Sequence, residues 1–217
     1  AGATRAVVDG GTVQARSLAV SARSEAPLLA GLPQDKITTL ARAASLSLTG
    51  SGGVTLGGAG AGAVSRTTLT NTLESAIRGG ATVTTTGAAG VSLATTDRTR
   101  IKSDVLALSA AVGISAGASA AVAVSVSVSE VSHATRALAR IDGASVTARL
   151  GNVSLTALSS ALFDVDANAA ALSITASAGA ALSGAGTGTR ARIVASNLTE
   201  AAILGGSTVA AQAGSVI

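Results

Sequence analysis

The sequence predicts an all-β fold, a repetitive β-solenoid rod of the parallel β-helix kind, and three observations carry that prediction. First, one short phrase returns four times: GGTVQA at 10–15, GGATVTT at 79–85, DGASVTA at 142–148 and GGSTVAA at 205–211. Its central residues Val13, Val83, Val146 and Val209 lie 70, 63 and 63 residues apart, and a fixed period of this size is the signature of a repeat architecture. Second, the 217 residues hold 26 glycines and one aromatic residue, Phe163. A core of the usual Leu, Phe, Ile and Met cannot be filled from that stock, so the interior must be thin and packed from small side chains. Third, runs such as VAVSVSVS (122–129) alternate strictly, which is the period of a strand. The same alternation speaks against a spanning helix in the uncharged stretch 105–129, so no transmembrane segment is expected, and one Phe cannot supply the aromatic girdles of a membrane barrel.

The repeat phases fall near 10–78, 79–141 and 142–204, with a partial copy at 205–217. Each begins with the valine phrase and its partner, as in GASVTARLGNVSLTA (143–157) and GATVTTTGAAGVSLAT (80–95). Gly90, Gly151 and Gly214 sit between the two short runs, where a corner calls for positive φ. A variable polar segment follows: TTDRTRIKSD (95–104) in one copy, LSSALFDVDAN (158–168) in the next. In the first copy it is an inserted loop, 24–39, holding both prolines, Pro27 and Pro33, which cannot donate to a ladder. The third part is a pair of long apolar runs around a glycine tip, 41–72, 107–135 and 171–199. Both of their faces carry small or apolar residues, which predicts burial on both sides.

A 63-residue repeat divides into three coils of about 21 residues, which gives about ten coils and a rod on the order of 50 Å long. The alternative is an antiparallel hairpin-based repeat fibre, with each pair of long strands hydrogen-bonded through its glycine tip. If successive copies stack, aligning Ala107 with Ala171 sets Arg100 opposite Asp164 and Lys102 opposite Asp166, opposite charges that help fix register. With the four valines these are the residues expected to hold the repeats in phase.

The chain is short of catalytic chemistry. His133 is the only histidine, on a strand whose alternation allows it to point outward, and a zinc site needs three or four ligands. Asp164 and Asp166 share a strand face, so calcium is conceivable there, yet two carboxylates fall short of the six to eight oxygens it prefers, and no cofactor is expected. The glycine clusters lack the Lys-Ser/Thr pair of a phosphate loop. A net charge of +4 from 15 Lys and Arg against 11 Asp and Glu is dispersed along the chain, with no basic run for nucleic acid. The chain is therefore expected not to be an enzyme.

The order of the phrase GASVTARLGNVSLTA, a variable polar loop and a long run such as VAVSVSVS resembles the long repeats of giant bacterial surface proteins, the leukotoxin-type filamentous adhesins and large exoproteins. The resemblance implies a β-solenoid stalk that is extracellular, secreted or at the cell surface, with roles in adhesion, aggregation or matrix formation. Its partners would be cell-surface or matrix components, and it transfers no catalytic residue. The absence of cysteine fits a long extracellular fibre. The first residues already read as strand and turn, so the chain is expected to be a piece of something longer or a processed product. Its ends, in phase with the repeat, are expected to continue into further chain or to pair with another copy through open strand edges. A self-assembling filament or sheath subunit is the alternative function.

Overall fold

A computed structural model describes residues 2–25 and 35–217, together with the backbone of 28–29 and 32–33. The alternating runs form fourteen strands and, among the described residues, no helix. They are β1 (Gly2–Asp9), β2 (Thr12–Ala15), β3 (Leu18–Glu25), β4 (Leu28–Leu29), β5 (Leu32–Pro33), β6 (Ile37–Ser51), β7 (Thr55–Arg78), β8 (Thr82–Thr85), β9 (Val91–Ser115), β10 (Ser119–Asp142), β11 (Ser145–Ala148), β12 (Val153–Ser177), β13 (Ala181–Leu204) and β14 (Thr208–Ala211). Three parallel sheets take strands in turn. Sheet A is β1-β7-β10-β13, sheet B is β2-β8-β11-β14, and in sheet C β9 pairs with β12 on one side and with β3 and β6 on the other. Stacked parallel strands in this order are compatible with a β-solenoid.

The four phrase valines meet in one ladder, Val13 opposite Val83 opposite Val146 opposite Val209. Val83 and Val146 are fully buried in an apolar core with Ile77, Val91, Leu93 and Ile141, where the three sheets converge. Away from that end only sheets A and C remain, facing each other as far as the glycine tips.

Four expectations are corrected here. Beyond the insertion in the first winding, paired residues lie 62 to 64 residues apart (Thr55 opposite Ser119, Val83 opposite Val146, Val91 opposite Val153), so one winding takes the whole repeat and not a third of it. The 21-residue coil fails because strands of 24 and 25 residues leave no corner inside them. The proportions of the rod change accordingly. A 25-residue strand runs about 80 Å, whereas each winding adds only about 4.8 Å along the stack, so the chain is a broad ribbon and not a slender 50 Å rod. The hairpin alternative also fails: β9 and β10, joined through Ala116–Ala118, hydrogen-bond to other windings and not to each other, and the glycine tips connect two facing sheets. Finally, the long strands are buried on one face only.

The insertion in the first winding shows in the register. The offset falls from 73 residues where Leu18 meets Val91 to 64 where Ile37 meets Ile101. Leu28 and Leu29 pair antiparallel with Pro33 and Leu32; Pro27 and the rest of 24–39 between 26 and 34 lie outside the described residues. Of the predicted corner glycines, Gly90 has φ +63, while Gly151 and Gly214 serve close stacking instead. A Cβ on Gly151 would lie 2.4 Å from the Gly90 nitrogen, and one on Gly214 2.5 Å from the Gly151 oxygen.

Candidate functional site, a buried polar cluster and a charge-free half

In the middle of the ribbon a set of polar side chains faces inward from both sheets. Strand parity explains why: Asp97 and Thr99 share the inward parity of Val91 and Leu93 on β9, and His133 and Thr135 share that of Ala121 and Ile141 on β10. Asp97 is fully buried. Its carboxylate accepts from Thr99 Oγ1 at 3.2 and 3.3 Å, from Thr135 Oγ1 at 3.2 Å and from Asn71 Nδ2 at 3.5 Å. Lys36 Nζ stands 3.9 Å from Asp97 Oδ1 and donates to Ser24 Oγ, which also accepts from Asn71 Nδ2 at 2.9 Å.

His133 is buried within this cluster, correcting the outward orientation that alternation allowed. Its Nε2 lies 3.0 Å from Thr135 Oγ1 and 3.9 Å from Asp97 Oδ2, and its ring meets Phe163 edge-on at 5.6 Å. A carboxylate only accepts, so Thr135 donates to Asp97 and receives a hydrogen bond from His133 Nε2–H. Burial pushes the imidazole below its ordinary 6.5; Asp97 and Asn197 oppose the shift and the Lys36 charge adds to it. Among the described residues no three His, Cys, Asp or Glu gather as metal ligands. The cluster joins sheets A and C through charge-assisted bonds, which is a structural role.

Sequence reasoning missed Asp97 altogether. The signal lay in its parity, since it occupies an inward position in a run whose other inward residues are Val91, Leu93, Thr95, Thr99 and Ile101.

The predicted register charges stand on the outer face of sheet C, shifted by two residues from the expected alignment. Lys102 is opposite Asp164, with Nζ to Oδ2 3.8 Å, and Asp166 is opposite Asp104. Arg100 pairs with Asp35 at 2.7 Å and not with Asp164. The shift arises because the stretch from Val153 to Ala171 is two residues longer than that from Val91 to Ala107, and the strands pair through it without a gap, so Ala107 meets Ala169 and not Ala171. Similar register pairs stand on sheet A, such as Arg66 with Glu130 at 3.0 Å and Arg78 with Asp9 at 3.0 Å. Exposed pairs contribute about 0 to 1 kcal/mol each, so they favour register more than stability.

Between those charges and the glycine tips the ribbon carries no charge in any winding, over 43–65, 105–129 and 167–189. In this half the usual polarity of a sheet is inverted. On β10 the valines of VAVSVSVS point out, with Val122, Val124 and Val126 52%, 45% and 44% exposed, while Ser125, Ser127 and Ser129 are fully buried. Ser127 Oγ has no partner among the described residues, whereas Ser103, Ser125 and Ser129 find theirs across the sheets. Ser103 Oγ lies 2.7 Å from Ser129 and 3.2 Å from Ser65, and Ser65 lies 3.1 Å from Thr39. Ser125 donates to the Ala170 carbonyl at 2.7 Å.

The outer face of sheet A here has relief. Val122, Val124 and Val126 form a ridge along β10. Their neighbours on β7 are Gly58, Gly60 and Gly62, and on β13 Gly184, Gly186 and Gly188, so a glycine trough runs along each side. The outer face of sheet C is apolar over the same span, with Leu46, Leu172 and Ile174 more than two-fifths exposed.

A bilayer is the first apolar medium to weigh against such faces. No helix among the described residues is long and apolar enough to cross a membrane, which leaves the strands. Two faces about 14 Å by 30 Å gain about 20 kcal/mol on transfer to hydrocarbon. The edge strands β6, β7, β12 and β13 would carry about forty unpaired backbone groups into it, at several kcal/mol each.

Comparison with family models, with curated proteins and with solved structures finds no match to this chain.

Proposed function

We propose that the chain is a structural segment of an extracellular bacterial fibre or adhesin stalk, a β-solenoid with one winding per repeat, that mediates surface attachment, aggregation or matrix formation. The observation that supports this most is the single ladder of Val13, Val83, Val146 and Val209. Each winding presents the same edge in the same phase, so windings add without limit from a repeated sequence. The ribbon proportions shift the weight of the reading. A winding of about 63 residues advances only about 4.8 Å, so such a chain supplies broad faces more than reach, which favours aggregation and matrix formation over simple extension.

Antibody labelling of intact cells that make the protein tests the reading. Label on unpermeabilised cells is expected; label only after permeabilisation overturns it. A second reading, a self-assembling filament subunit, is favoured by one specific feature. Among the described residues β12 and β13 pair along one edge only over most of their length, and an open edge is a template for further strands. Electron microscopy of the purified chain separates the two: unlimited filaments select the second reading, and monodisperse short ribbons the first.

A further inference from the structure

We propose that the valine ridge and glycine troughs on the outer face of sheet A form a docking surface for a second copy of this chain. The glycines are the observation that points outward. None of Gly58, Gly60, Gly62, Gly184 or Gly186 has positive φ, and a Cβ built on any of them meets nothing within 4 Å. Neither backbone conformation nor intramolecular packing requires glycine at these positions, and glycine weakens a strand. What the missing side chains create is depth beside an exposed row of valines.

That relief is complementary to itself. Two copies laid face to face along the strand direction, displaced by one strand spacing of about 4.8 Å, seat the Val122, Val124 and Val126 row of each in the Gly184, Gly186 and Gly188 trough of the other. The contact is isologous about a two-fold axis between β10 and β13, so it closes as a dimer. The Arg66–Glu130 pair at the border is already satisfied within its own sheet and asks nothing of the partner. Hydrocarbon could cover the same valines, but it has no use for troughs, and the unpaired edge strands oppose it. In this arrangement β10 and β13 of each copy overlap, about 300 Å² per copy, and a contact of about 600 Å² in total is below the standard size for a stable complex. The association is therefore weak and concentration-dependent in this chain, and grows with each added winding. The inference does not depend on the stalk reading; a cytosolic protein with this face would dimerise in the same way.

Sedimentation velocity of the 217-residue chain, over two decades of concentration, tests it. The expected result is a reversible shift from the 20.5 kDa monomer to a dimer. Gly186→Val is the diagnostic variant because it adds apolar surface and strand propensity while filling the trough. Docking into the trough predicts an association constant lowered by about tenfold or more, whereas unspecific apolar sticking predicts an increase. Val124→Lys is expected to abolish the dimer, and Leu172→Lys, on the opposite face, to leave it intact. The proposal is overturned by a chain that stays monomeric throughout, by stronger or unchanged association in Gly186→Val, by dependence on Leu172 in place of Val124, or by flotation of the chain with uncharged lipid vesicles.

Discussion

Replacing Asp97 with alanine tests whether the buried cluster ties the two long sheets together. The carboxylate is fully buried and collects hydrogen bonds from Thr99, Thr135 and Asn71, with Lys36 3.9 Å away. Removing one partner of a buried ion pair costs about 3–5 kcal/mol. Lys36 keeps 22% of its side-chain surface, so water partly replaces the lost anion and the charge contribution stands at the low end of that range. The three donors that lose their acceptor, at about 1 kcal/mol each where water cannot enter, are part of that loss and do not add to it. The expected loss is about 3–4 kcal/mol, read as a lower urea midpoint at neutral pH by far-ultraviolet circular dichroism with an unchanged slope. Asp97→Asn keeps the shape and an acceptor for Thr99 and is expected to lose about half as much. A loss below about 1 kcal/mol in the alanine variant, smaller than one typical hydrogen-bond deletion, would refute the claim that the cluster is dry and joined.

Two further predictions concern the same interior. Because burial holds the His133 imidazole below 6.5, the unfolded chain takes up the proton first as pH falls. The stability supplied by the neutral ring is complete above 6.5 and declines below it, toward the lower value of the folded ring. Urea midpoints at about pH 7.5 and about pH 5.5 should fall on acidification, and His133→Gln should flatten that slope; a midpoint that rises in the wild-type chain contradicts the arrangement. Among the inward serines, Ser103 bonds to Ser65 and Ser129 whereas Ser127 Oγ is buried without a partner. Ser103→Ala is therefore expected to cost about 1 kcal/mol and Ser127→Ala to be neutral or mildly stabilising. Equal losses in the two would contradict the hydroxyl network.

Much of the fold is legible in the sequence because the valine phrase repeats in phase with the ladder it forms, and because Gly79 and Gly90, at φ +68 and +63, mark corners where other residues are strained. The length of a winding was not legible. A repeat of 63 divides as well into three short coils as into one long one, and small-residue runs carry no internal stop signal to choose between them. The orientation of VAVSVSVS was not legible either. A period of two states that two faces differ but not which is inside, and transfer free energies favour burying Val over Ser. The narrow space between sheets A and C reverses that preference, since Ser125 and Ser129 find hydroxyl and carbonyl partners across it. The Asp97–His133 cluster was hidden for a related reason: its members are 36 residues apart on different sheets, and only the arch through the glycine tip brings them together.

The claim on which the rest depends is that one winding spans a whole repeat, and the absence of cysteine from the chain makes this directly measurable. Ser132 and Val194 are paired neighbours on β10 and β13, both exposed, and adjacent parallel strands put their Cα atoms about 4.8 Å apart, within reach of a disulfide. The double variant Ser132→Cys with Val194→Cys should cross-link rapidly within the monomer under mild oxidation, while Ser132→Cys with Val153→Cys, neighbours only if a coil holds 21 residues, should not. Cross-linking of the second pair in place of the first would contradict the account.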